Sequence, residues 1–267
     1  MPLAIATWNI NSVRLRAGLV ERFLQEHQPD ILCLQEIKCM NDQFPAGVFR
    51  DLGYEYQAVH GQKGYHGVAT VSKRPLFEIA STDYVAKGDT RHVETCFSAG
   101  GKTLRLHNFY VPAGGDEPDP AINPKFDHKL RFIDEMKVLA SVTSGVPSIL
   151  VGDLNIAPYE NDVWSHRQLL KIVSHTPVET NGLLDVLSAG DWRDLIRQRI
   201  PLDEKVYTWW SYRAKDWATS NRGRRLDHIW AAPELAGKLR SIEIVTEARG
   251  WERASDHVPV IARFDLD

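Results

Sequence analysis

Leu3-Ala4-Ile5-Ala6-Thr7-Trp8-Asn9 at one end and Ile31-Leu32-Cys33-Leu34-Gln35-Glu36 at the other frame the stretch that decides the fold class. The run from Leu3 to Trp8 reads as a buried strand. Between Arg14 and Gln28 the apolar residues Leu15, Leu19, Val20, Phe23 and Leu24 recur at i, i+4, i+8, which predicts an amphipathic helix. Pro29-Asp30 closes it, and Ile31–Gln35 is the next strand. The chain therefore opens with a strand–helix–strand unit, and both strands run straight into a polar residue, Asn9 and Glu36.

The same habit recurs along the chain. Leu104 to Phe109 runs into Tyr110, and Ser148 to Gly152 runs into Asp153 and Asn155. Leu226 stands directly before Asp227-His228, and Ser255-Asp256-His257 precedes the apolar run from Val258 to Phe264. Strand ends and the loops beyond them carry binding and catalytic groups in layered α/β proteins. Polar groups of metal-binding type at so many ends predict one shared site.

Further strands are predicted over 54–59, 68–72, 93–98, 102–110, 206–210, 226–231, 242–247 and 258–265, with Gly100-Gly101 as a hairpin turn. Lys125 to Thr143 reads as a long helix with Phe126, Leu130, Ile133, Met136 and Leu139–Ala140 on one face, and 156–205 as helical or irregular. No Pro-, Ser- or Gly-rich linker divides the chain, so residues 1–267 are expected to form one domain of two packed β-sheets with helices outside. The two halves read as a loose pseudo-repeat, each starting with a strand that delivers a polar group.

The composition, 43% hydrophobic and 25% charged, is that of a soluble globular protein. No apolar run approaches the ~20 residues that span a bilayer, and the N-terminus lacks the features of a signal peptide. Three cysteines without a pattern argue against a disulfide framework and for a reducing cytoplasm. The net charge of −3 excludes a protein that coats nucleic acid through overall basicity, leaving a local patch as the route to such a partner. The densest basic stretch is Arg222-Gly223-Arg224-Arg225, with Arg213 and Lys215 upstream; it reads either as that patch or as a solvated loop.

Several residues carry chemistry in this pattern. Glu36 could ligate a hard cation such as Mg²⁺, which prefers oxygen, or stand as a surface glutamate. Asp153 and Asn155, two apart, point the same way in extended chain, so that one could accept a proton from water while the other orients it; Gly152 would let backbone approach closely. Asn9 and Asn11 share a face in the same manner. Asp256 and His257 face opposite ways on a strand, so a carboxylate from elsewhere, Asp227, is the better partner for His257. Tyr110 could donate its hydroxyl to a phosphate or bury its ring. Trp209-Trp210 with Tyr212-Arg213 could stack on bases and grip phosphate, or pack as a buried pair. The sequence has no Walker A loop, no nucleophile elbow and no His/Cys zinc spacing.

Taken in order, Trp8-Asn9-Ile10-Asn11, Leu34-Gln35-Glu36, Asn108-Phe109-Tyr110-Val111-Pro112, Gly152-Asp153-Leu154-Asn155, Trp209-Trp210-Ser211-Tyr212-Arg213, Arg225-Leu226-Asp227 and Ser255-Asp256-His257-Val258-Pro259-Val260 resemble the exonuclease III class of abasic-site endonucleases. That class lies within the endonuclease/exonuclease/phosphatase superfamily, and the resemblance runs from residue 5 to 264. It implies an α/β fold, a four-layer α-β-β-α sandwich of two packed mixed sheets (DNase I-like). It also implies a Mg²⁺- or Mn²⁺-dependent phosphodiesterase that cuts double-stranded DNA 5′ of abasic sites and works on 3′ ends, as a cytoplasmic monomer. Carried over by motif, Glu36 is the main metal ligand with Asn9 and Asp256, and Asp153, Asn155 and His257 join the candidate ligands if two metals act. Asp153 would activate or position the water beside Asn155, Asp227 would orient His257 at the phosphate, and Tyr110 would touch the phosphate too. Trp209 and Leu226 would line a sugar pocket, with Asn11, Tyr212, Arg213 and Arg224 as further substrate contacts. Ala113 stands where an amide is common and Arg224 where an apolar pocket residue is usual. The loop Gly114-Gly115-Asp116-Glu117-Pro118-Asp119 is acidic. These departures bear on substrate preference; the alternative is a related phosphodiesterase or phosphatase acting on RNA or another phosphorylated substrate.

Overall fold

The computed structural model describes residues 2–214 and 216–266. Among them the strands are β1 Pro2–Asn9, β2 Ile31–Gln35, β3 Tyr56–His60, β4 Val68–Ser72, β5 Phe77–Ala80, β6 His92–Ala99, β7 Lys102–Tyr110, β8 Val142–Thr143, β9 Val146–Asp153, β10 Arg193–Asp194, β11 Trp209–Trp210, β12 Gly223–Arg224, β13 Asp227–Ala231, β14 Leu239–Ile244 and β15 Val260–Asp265. One sheet has the order β14-β15-β1-β2-β4-β3 and the other β10-β13-β9-β7-β6-β5, with β8 hairpinned on β9 and β11-β12 as a separate ribbon.

Side-chain alternation builds the layers. Leu3, Ile5, Ile31 and Cys33 face the second sheet and pack with Leu104, Leu106, Ile149, Val151 and Ile229. The opposite parity, Trp8, Leu32 and Leu34, packs outward on Val20, Phe23 and Leu24 of helix Ala17–His27. On the far side Phe109 and Leu150 meet Phe132, Ile133 and Met136 of helix Pro124–Met136 and Leu183 and Val186 of helix Pro177–Ala189. Strands buried on both faces read as continuous apolar runs, and the result is the expected α-β-β-α sandwich.

That parity also places the polar ends. Asn9, Gln35, Asn108, Tyr110, Asp153 and Asp227 each share the phase of the residues that fill the gap between the sheets. The apolar gap thus turns polar at one end. Parallel pairing sets Asn9 beside Gln35 and Tyr110 beside Asp153, and antiparallel pairing sets Asp227 opposite Asp153. Gln35 Nε2 donates to Asn108 Oδ1 across the gap at 2.7 Å, which locks the two sheets in register where the core gives way to the site.

Several elements differ from expectation. The first helix begins at Ala17, because Asn11 and Ser12 take positive φ and the following turn commits Arg16 to the Arg253 carbonyl; Leu15, outside the helix, is 60% exposed. The helix expected over 125–143 ends at Met136. Val142–Thr143 instead pairs with Val146 and Pro147 through a turn at Ser144 and Gly145, both at positive φ, a hairpin conformation that overrides the helical spacing. Of 206–210 only Trp209–Trp210 is strand, the first expected over 54–59 is Tyr56–His60, and 242–247 gives way to β14 and a 3-10 turn at Thr246–Gly250. Each sheet is built on a parallel pair joined by a helix, β1–β2 and β7–β9, but β14 and β15 return to the first sheet, so the pseudo-repeat does not follow the halves of the chain.

Candidate active site

Two matching turns carry the key side chains. Beyond β9 the Asn155 N–H donates to Asp153 Oδ1 at 2.9 Å, and beyond β1 the Asn11 N–H donates to Asn9 Oδ1 at 3.1 Å. In both, the third residue is left-handed, φ 54° at Asn155 and 48° at Asn11, a conformation that Asn tolerates better than most residues. Asp153 and Asn155 therefore meet through a side-chain–backbone turn, not through the extended chain expected. Glu36 is also left-handed, at φ 49°, a rarer choice for its type that aims its carboxylate into the gap. Gly152, at φ 141°, lies so close to β7 that a Cβ would collide with the Phe109 carbonyl oxygen, which accounts for glycine before Asp153.

The carboxylates form a connected cluster. Asn9 Nδ2 donates to Glu36 Oε1 at 3.0 Å and to Asp153 Oδ2 at 2.8 Å, and Asn155 Nδ2 donates to Asp153 Oδ2 at 3.1 Å. The Tyr110 hydroxyl donates to Glu36 Oε1 at 2.8 Å. His257 Nδ1 lies 2.8 Å from Asp227 Oδ2, and its Nε2 lies 3.6 Å from Asp153 Oδ2. Asp227 is the partner of His257, while Asp256 turns away to accept from Trp209 Nε1 at 2.9 Å and Asn11 Nδ2 at 3.1 Å.

Electrostatics divide the roles. Burial works against the charged form of His257, but the carboxylates of Asp227 and Asp153 outweigh it and raise its pKa, so the ring stays an imidazolium. Burial, with Asp227 and Glu36 adding to it against His257 and Asn9, raises Asp153 above the usual carboxylate range, which makes it a ready proton acceptor. Glu36 goes the other way: burial is overcome by the Lys38 charge and by hydrogen bonds from Asn9 and Lys38, and its pKa falls. Burial and then the charges of Glu36 and Asp153 raise Tyr110 far above 10, so it remains a donor.

The donor set fits a hard divalent cation. Glu36, Asp153, Asp227 and Asp256 offer carboxylate oxygens, whereas Asn9 turns its Nδ2 to Glu36 and Asp153 and its Oδ1 to the Asn11 N–H, so Asn9 positions the carboxylates and presents no free oxygen; Asp227 Oδ1 is buried without a hydrogen-bond partner, and Lys38 Nζ already sits as a cation on Glu36 Oε2 at 2.7 Å. Asp153, Asp227 and His257 also converge closely enough to hold an ion, but the imidazolium bridging two carboxylates there is itself the counter-charge.

A cavity of about 700 Å³ opens onto this floor. Glu36, Tyr110, Asn155, Trp209, Arg213, Arg224, Leu226, Asp256 and His257 line it, together with Ala113 and Asp116 of the acidic loop. Asn9, Asp153 and Asp227 lie buried beneath, while Asn11 and Tyr212 stand outside the lining; the Tyr212 hydroxyl is committed to the Ala254 carbonyl at 2.8 Å. The basic stretch divides. Arg222 and Arg224 reach the cavity, but Arg225 is fully buried on Asp162 and Asp194, so it offers no patch, and Lys215 falls outside the described residues.

Supporting residues escaped the sequence reading. Ser255 Oγ donates to the Asn9 carbonyl at 2.7 Å and accepts from His257 N at 3.2 Å, tying β1 to the histidine loop; its place in Ser-Asp-His was the available signal. Thr208 Oγ1 accepts from the N–H of Leu226 and of Asp227 at 3.0 and 3.1 Å. Lys38 and Thr208 stand in no motif that would have singled them out.

Comparison with known proteins agrees with this geometry. The sequence pattern of the endonuclease/exonuclease/phosphatase family matches residues 6–257. Exodeoxyribonuclease III of Haemophilus influenzae is 30% identical over 272 residues, covering 97% of this chain and 98% of that protein. An AP endonuclease from Archaeoglobus fulgidus superposes with a TM-score of 0.88 at 32% identity, covering 98% of this chain and 99% of that one. A 3′ phosphatase from Neisseria bound to a product DNA hairpin superposes with a TM-score of 0.87 at 31% identity, over 98% and 99% of the two chains. A match over nearly the whole chain, with the strand-end carboxylates meeting on one cavity floor, makes this chain a member of the endonuclease/exonuclease/phosphatase family.

Proposed function

We propose that this chain is a DNA-repair nuclease that cuts the backbone of duplex DNA 5′ of abasic sites and clears nucleotides or blocking groups from 3′ ends. The observation that carries the reading is the convergence of Glu36, Asp153 and the Asp227–His257 pair on the floor of one cavity whose wall is Trp209 and Leu226. A phosphodiester needs an in-line water, a base to take its proton and donors for the charge that grows on phosphate. Asp153, raised by burial, takes the proton of the water; Asn155 keeps that carboxylate oriented through its side-chain amide. His257, held charged and aimed by Asp227, stabilises the phosphate, with Tyr110 as a donor beside it. Trp209 and Leu226 receive the sugar; an abasic residue lacks the stacking that resists extrusion.

Mg²⁺, or Mn²⁺, is the cofactor we assign, held by Glu36 with Asn9 and Asp256 near it. Bound there, such an ion would supply positive charge to the scissile phosphate. We further assign a monomer working on DNA in the cytoplasm, in keeping with three free, buried cysteines. The test is incision of a duplex with one abasic site by metal-replete protein, with and without EDTA. Cutting that EDTA abolishes, and that Glu36→Ala loses, is expected; an intact duplex under Mg²⁺ and Mn²⁺ alike would refute the assignment.

A further inference from the structure

Lys129 lies fully buried on helix Pro124–Met136, and its ammonium meets three acceptors. Nζ donates to the Asn155 carbonyl at 2.8 Å and to the Ala113 carbonyl at 3.2 Å, and Glu179 Oε1 lies 2.5 Å away. Three donors on three acceptors leave the group satisfied. Gly114, at φ 89°, makes the room: a Cβ there would stand 2.8 Å from Lys129 Cδ. Glu179 does not need Lys129 to hold its place. It is the third residue of helix Pro177–Ala189 and closes a capping box, its carboxylate accepting from the Ser174 N–H at 2.9 and 3.0 Å, the Thr176 N–H at 3.2 Å and the Thr176 hydroxyl at 2.6 Å. Asn155 has no such alternative. Among the described residues no other group donates to the carbonyl of Asn155 or of Ala113.

That carbonyl sits where the backbone most needs a hold. Asn155 is left-handed, and in that conformation its N–H reaches Asp153 Oδ1 while its amide reaches Asp153 Oδ2 at 3.1 Å and the Val111 carbonyl at 2.9 Å. Relaxing φ to the right-handed region would turn the side chain and the carbonyl away from these partners together. A buried ion pair adds little stability over an apolar pair of similar volume, so the pair with Glu179 does not by itself account for a lysine here. We infer that Lys129 is a positioning residue: it anchors the peptide after Asn155 and so fixes Asp153 in the orientation from which it takes the proton of the attacking water. The inference rests on the nuclease reading above. Lys129 is buried and takes no part in the cavity lining, so it acts on the rate of the chemical step and not on duplex affinity.

Two variants that break the same ion pair test it. Lys129→Met removes the donor to both carbonyls, whereas Glu179→Gln removes the carboxylate charge and leaves the Lys129 N–H groups in place. Single-turnover incision of an abasic duplex at fixed Mg²⁺, the duplex Kd and the thermal midpoint are measured for each, with the rates taken where circular dichroism shows the protein folded. Both variants should melt below wild type. Only Lys129→Met should lose rate, by roughly 10- to 100-fold, the effect of misplacing a catalytic group by about 1 Å, with Kd within about threefold of wild type. Lys129→Gln, which keeps an amide donor, should fall between wild type and Lys129→Met, and takes its place in the comparison if Lys129→Met does not fold. Equal rates in the lysine variant and Glu179→Gln, whether both are slowed or neither, overturn the inference and leave the nuclease reading standing; so does a loss of affinity that matches the loss of rate. If metal-replete wild type leaves the duplex intact, the nuclease reading falls, and this inference with it.

Discussion

Two buried charge clusters lie on either side of the Leu226 segment and use the same residue types to opposite ends. In one, Asp162 accepts from Arg225 Nε at 2.7 Å and Nη2 at 2.8 Å and from Arg197 Nη2 at 2.6 Å, and Asp194 lies 2.8 Å from Arg225 Nη1. Two carboxylates face two guanidiniums, sealed from solvent, and burial is outweighed at Asp162 by Arg225 and Arg197, which lower its pKa. In the other, Glu36, Asp153 and Asp227 share His257 and Lys38, the carboxylates outnumber the cations, and the floor opens to a cavity. Balance and closure make a structural brace; negative excess and access make a site that a cation and a phosphate can complete.

Substitutions should separate the two. Asp227→Asn removes the charge that holds His257 as an imidazolium, and kcat on an abasic duplex should fall by about 10³–10⁴-fold with the melting temperature nearly unchanged. Asp162→Ala should do the reverse: it leaves Arg225 and Arg197 with Asp194 as the one carboxylate of the brace and should cost about 3–5 kcal/mol, read as a thermal midpoint lowered by roughly 10 °C. Mg²⁺ should stabilise the wild type by about 2.7 kcal/mol at a hundredfold excess over Kd, in thermal melts, and Glu36→Gln should lose that increment. The smallest effect is in pH. Because the folded pKa of Asp162 is depressed, its stabilisation is present above the unfolded value of about 3.9 and is lost as pH falls through the folded one. Urea midpoints of wild type should therefore drop below about pH 4 more steeply than those of Asp162→Asn.

Much of the catalytic floor could be read in the chain because strand parity is a local property. Asn9, Asp153 and Asp227 sit in phase with apolar neighbours, and the Asp227–His257 pairing follows from the opposed directions of Asp256 and His257. The brace could not be read: Arg225 stands 63 residues from Asp162, with only a basic tetrapeptide around it. Lys129, 50 residues from Glu179, looked like any helix lysine. The overlong helix at 125–143 shows the same limit from the other side, since Leu139 and Ala140 kept the helical spacing while Ser144-Gly145 had already set a hairpin. Residues whose role depends on a distant partner carry no local signature.

Asp153→Asn is the most direct test that the open cluster is catalytic, because it keeps the side-chain shape and removes the base, at the expense of one of the two oxygens that accept from Asn9 and Asn155. Single-turnover incision of an abasic duplex, with the duplex Kd measured alongside, should show the rate lowered by about 10³-fold or more while Kd stays within about threefold. A parallel loss of binding, or a drop in melting temperature like that expected of Asp162→Ala, would make Asp153 part of a second brace and contradict the account.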